Sequence, residues 1–209
     1  MSLSKNLTVT VAHDYICPWC WVGFFHAKQL LVDFPQITLD WKGYELLPVG
    51  RFAPPSFTPK PHDPNRAPSR FELFAQSEGV AFNPARTIGF VYSHNALEGA
   101  EYAKTFGKEA FENYNEGVYR AYWEKSLDIS NVDFLADIAH EAGIGREDFI
   151  TAVTQKRFNE LIVPFDDEAY AEDITHVPTF RFRGERVAEA PYAIIKNLTE
   201  RFLIWNDKS

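Results

Sequence analysis

Both cysteines of this chain lie two residues apart, in Cys17-Pro18-Trp19-Cys20, at the point where a strand pattern runs into a helix pattern. Ahead of them Leu7-Thr-Val-Thr-Val-Ala-His-Asp14 alternates apolar and polar as a short strand does. Behind them Trp21 to Phe34 carries apolar residues at helical spacing. The arrangement ties a strand, a turn and a helix start to one pair of thiols, which few folds can satisfy. The first turn of a helix leaves backbone N–H groups unpaired and carries partial positive charge, so it stabilises an anion placed there. A Cys-x-x-Cys in this setting points to thiol–disulfide chemistry, with the first cysteine able to act as a nucleophile.

Phe34-Pro35 closes the helix, because proline disfavours helical backbone at the residue before it. Ile37 to Lys42 then alternates as a second strand and completes a β-α-β unit within the first 46 residues. So short a crossover implies parallel strands joined right-handedly. Pro48 to Pro68 holds seven of the thirteen prolines, a density that neither a helix nor a central strand accepts. This is a long loop.

Helical patterns follow. Pro68 suits the first position of a helix through Phe71 and Phe74. Asn95 to Phe106 is stopped by Gly107, and Lys108 to Lys125 comes next. Asn131 reads as the N-cap of Val132 to Ala142, with Gly143 at its end. Arg146 to Val153 and Pro164 to Glu172 add two more. The tail alternates again at Thr179 to Arg183, turns at Gly184-Glu185 and returns through Arg186 to Glu189. Pro191 opens a terminal helix. The order is therefore β-α-β, a helical block, then β-β-α. It describes an α/β fold interrupted by a large all-helical insertion, with boundaries at 1–66, 67–160 and 161–209.

A net charge of −8 without any Lys/Arg cluster argues against nucleic acid as a partner. No run of about 18 apolar residues exists, so no membrane span is expected. Two cysteines do not make a disulfide scaffold, and Met1 to Asn6 has no apolar signal core, so a cytoplasmic location is the expectation. A structural zinc site needs a second pair of ligands at short spacing. His13, His26, His62, His94, His140 and His176 contain no pair three to five residues apart, and no metal is expected.

The second signal is Val177-Pro178-Thr179, at the mouth of the first strand of the tail. Alone, a proline opening a strand is as readily an edge device as a functional one. With the upstream Cys-x-x-Cys, the order β-α-β … Pro-β-β-α resembles the thioredoxin fold, in which such a proline is cis and lies against the active-site disulfide. The resemblance implies a cis Val177–Pro178 bond and a Val177 backbone open to strand addition by an extended substrate. With the insertion included, three segments resemble the DsbA family, and within it the FrnE-like proteins, relatives of 2-hydroxychromene-2-carboxylate isomerases. They are Asp14-Tyr-Ile-Cys-Pro-Trp-Cys-Trp-Val-Gly23, Tyr122-Trp-Glu-Lys-Ser-Leu-Asp-Ile-Ser130 and Val177-Pro-Thr-Phe180. The chain departs from the pattern at Thr175-His176, where relatives usually carry a glycine, and at Pro164.

That resemblance implies a thiol–disulfide oxidoreductase acting on protein or small-molecule thiols and disulfides. No organic cofactor would be bound, and glutathione would enter as a co-substrate at most. Cys17 would be the attacking thiolate and Cys20 the resolving thiol, with Pro18, Trp19, Val177 and Pro178 facing the substrate. Trp19 reads equally as a flat contact for substrate or as packing against the insertion. His13 and His176 are placed in sequence to approach the thiols, although lone histidines are more often structural. Asp14 reads as a partner for loop N–H groups.

The alternative class is a glutathione-dependent isomerase or transferase of the 2-hydroxychromene-2-carboxylate isomerase or kappa-class type. Those enzymes typically replace one or both motif cysteines, so retention of the pair favours exchange. A hydrophobic pocket under the insertion, sized for an aromatic substrate, would favour the alternative. A third reading is a domain retired from catalysis and kept for binding, with cysteines closed to alkylating reagents.

Overall fold

The computed structural model describes residues 7–58, 63, 65–83 and 86–206. The Met1–Asn6 segment, His62 and residues 59–62 and 64 of the proline-rich stretch lie outside the described residues. β1 (Thr8–His13) leads through the motif into α1 (Pro18–Asp33) and on to β2 (Thr38–Glu45). β1 and β2 are parallel, from Thr8 opposite Thr38 to His13 opposite Gly43, as a helical crossover requires. α1 starts at Pro18 rather than Trp21, since a proline at the first helical position gives up only an N–H that would have been unpaired. Cys20 is thereby drawn into the first turn.

Among the described residues, five α-helices separate β2 from the next strand. They are α2 (Arg70–Ser77), α3 (His94–Lys104), α4 (Lys108–Trp123), α5 (Val132–Glu141) and α6 (Arg146–Thr154). The start of α2 corrects the expectation at Pro68. Ser69 is the N-cap: its hydroxyl accepts from the Glu72 N–H at 3.2 Å, while the Glu72 carboxylate accepts from the Ser69 N–H at 2.6 Å. This reciprocal pair satisfies two otherwise unpaired donors, which a proline at the helix start does not. Gly107 caps α4 instead of closing α3, which ends on Thr105, and Phe106 stays exposed. Asn131 caps α5 through a bond from the Phe134 N–H.

Pro164 is not in a helix. Val163-Pro164 forms β3, two residues paired in parallel with Tyr44 and Glu45 at the end of β2. An outermost strand tolerates proline, because its outward side needs no donor. The Phe165 N–H then donates to the Glu45 carbonyl at 2.9 Å. Farther back along β2, the Lys104 ammonium donates to the Trp41 carbonyl at 2.5 Å. α7 (Asp167–Ala171) starts only after this edge, followed by β4 (Thr179–Arg181), β5 (Arg186–Ala188) and α8 (Tyr192–Asn206).

The sheet order is β3-β2-β1-β4-β5, with β4 antiparallel to β1 and β5 antiparallel to β4. Because Ala12 lies opposite Thr179, the end of β1 meets the beginning of β4. The motif and the Val177-Pro178 segment therefore arrive at one place. A single apolar core joins Val9, Val11, Trp21 and Phe180 to Tyr119, Leu135 and Phe149 of the helical block. No helix among the described residues is long and apolar enough to cross a membrane.

Candidate active site

The turn before the motif is held by side chains from three directions. Asp14 accepts from the Ile16 N–H at 3.2 Å and from the Leu46 N–H, beyond β2, at 2.7 Å. The Trp123 indole N–H, at the end of α4, donates to the Tyr15 carbonyl at 2.8 Å, and the Tyr15 hydroxyl donates to Asn115 at 2.8 Å. The Cys17 N–H returns to the Asp14 carbonyl at 3.2 Å, after which the N–H groups of Cys20 and Trp21 both reach the Cys17 carbonyl.

Cys17 is the N-cap of α1, and its sulfur makes no capping bond to the helix. Its thiol donates instead to the Val177 carbonyl at 3.2 Å, across 160 residues of chain. The Val177–Pro178 bond is cis, and Pro178 lies over α1 at Gly23. A Cβ at position 23 would come within 2.8 Å of Pro178 Cγ, so only glycine admits this approach. The Thr179 hydroxyl donates to the His176 carbonyl at 2.6 Å, and the Glu189 N–H donates to the Pro178 carbonyl at 3.2 Å. Both anchor the proline segment from the sheet side.

The two cysteines are free thiols in different settings. Cys17 keeps 5% of its surface exposed and Cys20 none. Burial pushes the Cys20 thiol well above its ordinary range, and the neighbouring Cys17 and the charge of Asp14 add to the effect. Asp14 is itself wholly buried. Burial raises its carboxyl to about 6, against the lowering effect of the bonds from Leu46 and Ile16.

Pro18 and Trp19 are half-buried. The Trp19 ring packs on α2, 4.9 Å from Phe74 and 5.7 Å from Phe71, with the Arg70 guanidinium 5.3 Å over it. Neither His13 nor His176 is bonded to a cysteine. His13 Nδ1 meets the Tyr119 hydroxyl at 2.9 Å, and its ring stands edge-on to Tyr15 and Trp41. Burial lowers it to about 3, so it stays neutral. His176 is exposed and meets Thr175 Oγ1 at 3.1 Å. Among the described residues, no three His, Cys, Asp or Glu side chains are grouped to hold a metal ion. Gly23, Asn115 and Trp123 complete the site's frame; Gly23 and Trp123 fall in the segments that carry the family resemblance, but each of the three acts on a partner distant in sequence.

Residues 8–194 match the family model described as DSBA-like thioredoxin domain. Over 181 residues the chain is 29% identical to the uncharacterized protein YwbO of Bacillus subtilis (strain 168), covering 82% of this chain and 84% of that protein. Among solved structures it is similar to a 2-hydroxychromene-2-carboxylate isomerase, with a TM-score of 0.67 and 17% identity over 97% of this chain and 98% of that one. It is also similar to the cytosolic disulfide reductase DsbM of Pseudomonas aeruginosa, solved with GSH, with a TM-score of 0.62 and 15% identity over 97% and 98%. At these identities the two structures speak to the fold alone. The match to the family model, over nearly the whole length and on the sheet order described above, shows that the chain belongs to the DSBA-like thioredoxin-domain family.

Proposed function

We propose that the protein is a thiol–disulfide oxidoreductase working through Cys17 and Cys20 on protein or small-molecule disulfides. The main support is the contrast between the thiols: one caps a helix and keeps a trace of exposure, the other is sealed one turn further in. In the reducing direction, the Cys17 thiolate attacks one sulfur of the substrate disulfide. That S–S bond breaks, a Cys17–substrate bond forms, and one substrate thiolate leaves. Cys20 then gives up its proton and attacks Cys17 Sγ. The second substrate sulfur leaves, the Cys17–Cys20 disulfide forms, and two electrons have passed to the substrate. Oxidation of a substrate dithiol runs the same steps in reverse.

Burial holds Cys20 as a thiol, so its attack needs a base. We assign that role to Asp14, whose charge acts on Cys20 and whose carboxyl titrates at about 6. Pro18 and Trp19 form one rim of the substrate surface, Val177 and Pro178 the other. In this scheme a substrate strand pairs with the Val177 backbone as it displaces the Cys17 thiol from the carbonyl. Glutathione enters as a co-substrate rather than a bound cofactor, and the reaction belongs in the cytoplasm. The fold shared with cytosolic DsbM supports that setting. Residues 67–160 act as a helical insertion over a thioredoxin-like domain made of 1–66 and 161–209, a division supported by the packing of Trp19 on α2.

One observation favours the second reading, glutathione-dependent isomerisation. A cleft of about 660 Å3, lined by Phe71, Phe82, Phe90 and Tyr122, lies beside α2 and has room for an aromatic molecule. The deciding experiment is redox titration of the cysteine pair against glutathione buffers, followed by alkylation and mass, with Cys20→Ser alongside. A reversible two-electron transition, with a mixed disulfide trapped on Cys17 in the variant, is expected. If no intramolecular disulfide forms, exchange fails as a reading and isomerisation replaces it.

A further inference from the structure

A second buried carboxyl stands beside Asp14, at the end of β2. The Leu46 N–H that donates to Asp14 at 2.7 Å belongs to the residue after Glu45, the last of β2. Glu45 is 3% exposed, and its backbone is fixed by pairing with Pro164 and by the Phe165 N–H. Its carboxylate accepts from His94 Nδ1, at the start of α3, at 3.0 Å. Glu45 Oε1 and His94 Nε2 are buried, and among the described residues neither has a hydrogen-bond partner. One turn along α3, Glu98 is wholly buried, and it accepts from the Phe158 N–H at 3.0 Å. Its carboxyl feels the charge of His94, so the imidazole stands between carboxylates from two elements.

A buried charge is costly unless an opposite charge lies close. At the depth of Glu45 water screens little, so the imidazole is its compensation, and whatever charge the pair leaves over reaches Asp14. The charge of Glu45 acts on Asp14 and opposes its ionisation. The other titratable side chains around Asp14 stay uncharged. Burial pushes the Cys20 thiol and the Tyr15, Tyr119 and Tyr122 hydroxyls up, and brings His13 down to about 3. Lys42 of β2 is paired with Glu172 at 2.7 Å, and Glu101 of α3 with Lys104 at 2.6 Å. Beyond α6, the exposed Lys156 acts on Glu98. Cys17 carries no charge while it is bonded to a substrate sulfur.

We propose that Glu45 and His94, sharing one proton, form a neutral pair that leaves Asp14 free to take the Cys20 proton. That proton passes to the Asp14 carboxylate as the Cys20–Cys17 bond forms, and the substrate sulfur leaves with the electron pair. Glu45 and His94 are positioning residues, since they act through Asp14 and touch no substrate. Without the imidazole, two buried carboxylates act on each other, and Asp14 keeps its proton to higher pH. Without the Glu45 carboxylate, Asp14 releases its proton at lower pH. The use of this coupling in the resolving step rests on the exchange reading, whereas the coupling itself does not.

The test follows the protonated Asp14 carboxyl by infrared absorption, identified by its loss in Asp14→Asn, from about pH 4 to about pH 8. A Cys17→Ser/Cys20→Ser background removes both thiols, so the result is independent of exchange. His94→Gln, which keeps a donor to Glu45 but no charge, should move the midpoint up by about one pH unit, and Glu45→Gln should move it down by about as much. The double variant, neutral like the native pair, should return the midpoint to its original place, and it stands in for a single variant that fails to fold. With both cysteines present, release of the second substrate thiol from a Cys17 mixed disulfide should shift its pH profile in the same two directions. An unmoved midpoint in either folded single variant overturns the proposal, as does a shift of both in one direction. Midpoints that move as expected in a protein that forms no Cys17–Cys20 disulfide uphold the coupling and remove the exchange reading.

Discussion

The turn from Asp14 to Cys17 and the Arg86 guanidinium, at the edge of the cleft beside α2, meet at Trp123 but are held in opposite ways. In the turn, Trp123 spends its N–H on the Tyr15 carbonyl, and Asp14 takes two backbone donors. On the cleft side the same indole offers only a ring face, with the guanidinium 4.1 Å from its centroid. Hydrogen bonds beside the thiols are consumed in fixing geometry. Beside the cleft, ring faces hold the guanidinium. Substitutions on the first side should therefore cost more stability than substitutions on the second.

The largest expected effect comes from Asp14. Its carboxyl titrates at 3.8 in the unfolded chain and at about 6 in the folded one. Between those values the folded state holds the extra proton, so stability contributed by this group falls as pH rises from about 4 to 6. Relative to Asp14→Asn, the protein should lose roughly 3 kcal/mol over that interval, read from urea unfolding at pH 4 and pH 7. A difference between the two proteins that does not change with pH would mean that the carboxylate is solvated. The adjacent His13, lowered from 6.5 to about 3, acts with the opposite sign: its contribution rises with pH across nearly the same window. Both proteins carry it, so it cancels in the comparison.

Gly23→Ala should come next. Its Cβ must push Pro178 away, at a cost of about 1–3 kcal/mol, and the Val177 carbonyl moves with the proline. Slower exchange should accompany the lower stability, and an unchanged exchange rate would separate the proline segment from the chemistry. Trp123→Phe removes the donor to the buried Tyr15 carbonyl and should cost about 1–3 kcal/mol in urea unfolding. Ser69→Ala, outside both regions, should cost about 1 kcal/mol by removing half of a capping box. Smallest is Arg86→Met, expected within about 0.5 kcal/mol, because the lost ring contacts are offset by removal of a partly desolvated cation. A large loss there would show that Arg86 is part of the frame and erase the contrast.

The parts of the fold that local chemistry decides were legible in the sequence. Asn131 could be assigned as a cap because its partner, Phe134, is three residues away, and the β-α-β start followed from periodicity. The short β3 was not legible, since a two-residue strand has no period and exists only through its pairing with Tyr44 and Glu45. At α2 the signal was present in Ser69-x-x-Glu72, but Pro68 pointed to a rival start two residues earlier in the chain. At the site, the Cys-x-x-Cys and Val-Pro segments were visible as motifs. The contact of Gly23 with Pro178, the reach of Trp123 to Tyr15 and the ring contacts of Arg86 depend on partners distant in sequence, and no window along the chain contains them.

Pro164 has a consequence beyond the folding of one monomer. An unpaired strand edge is where copies of a protein can join and grow into fibres, and short outer strands, prolines and lysines at the edge oppose this. Here the outermost strands are two and three residues long, and one of them contains a proline that has no N–H to offer. Farther along the same side, the Lys104 ammonium already occupies the Trp41 carbonyl that an incoming chain would need. Concentrated solutions of this protein should therefore resist sheet-driven aggregation at the β2 side, a property set by the same residue that interrupts helix formation there.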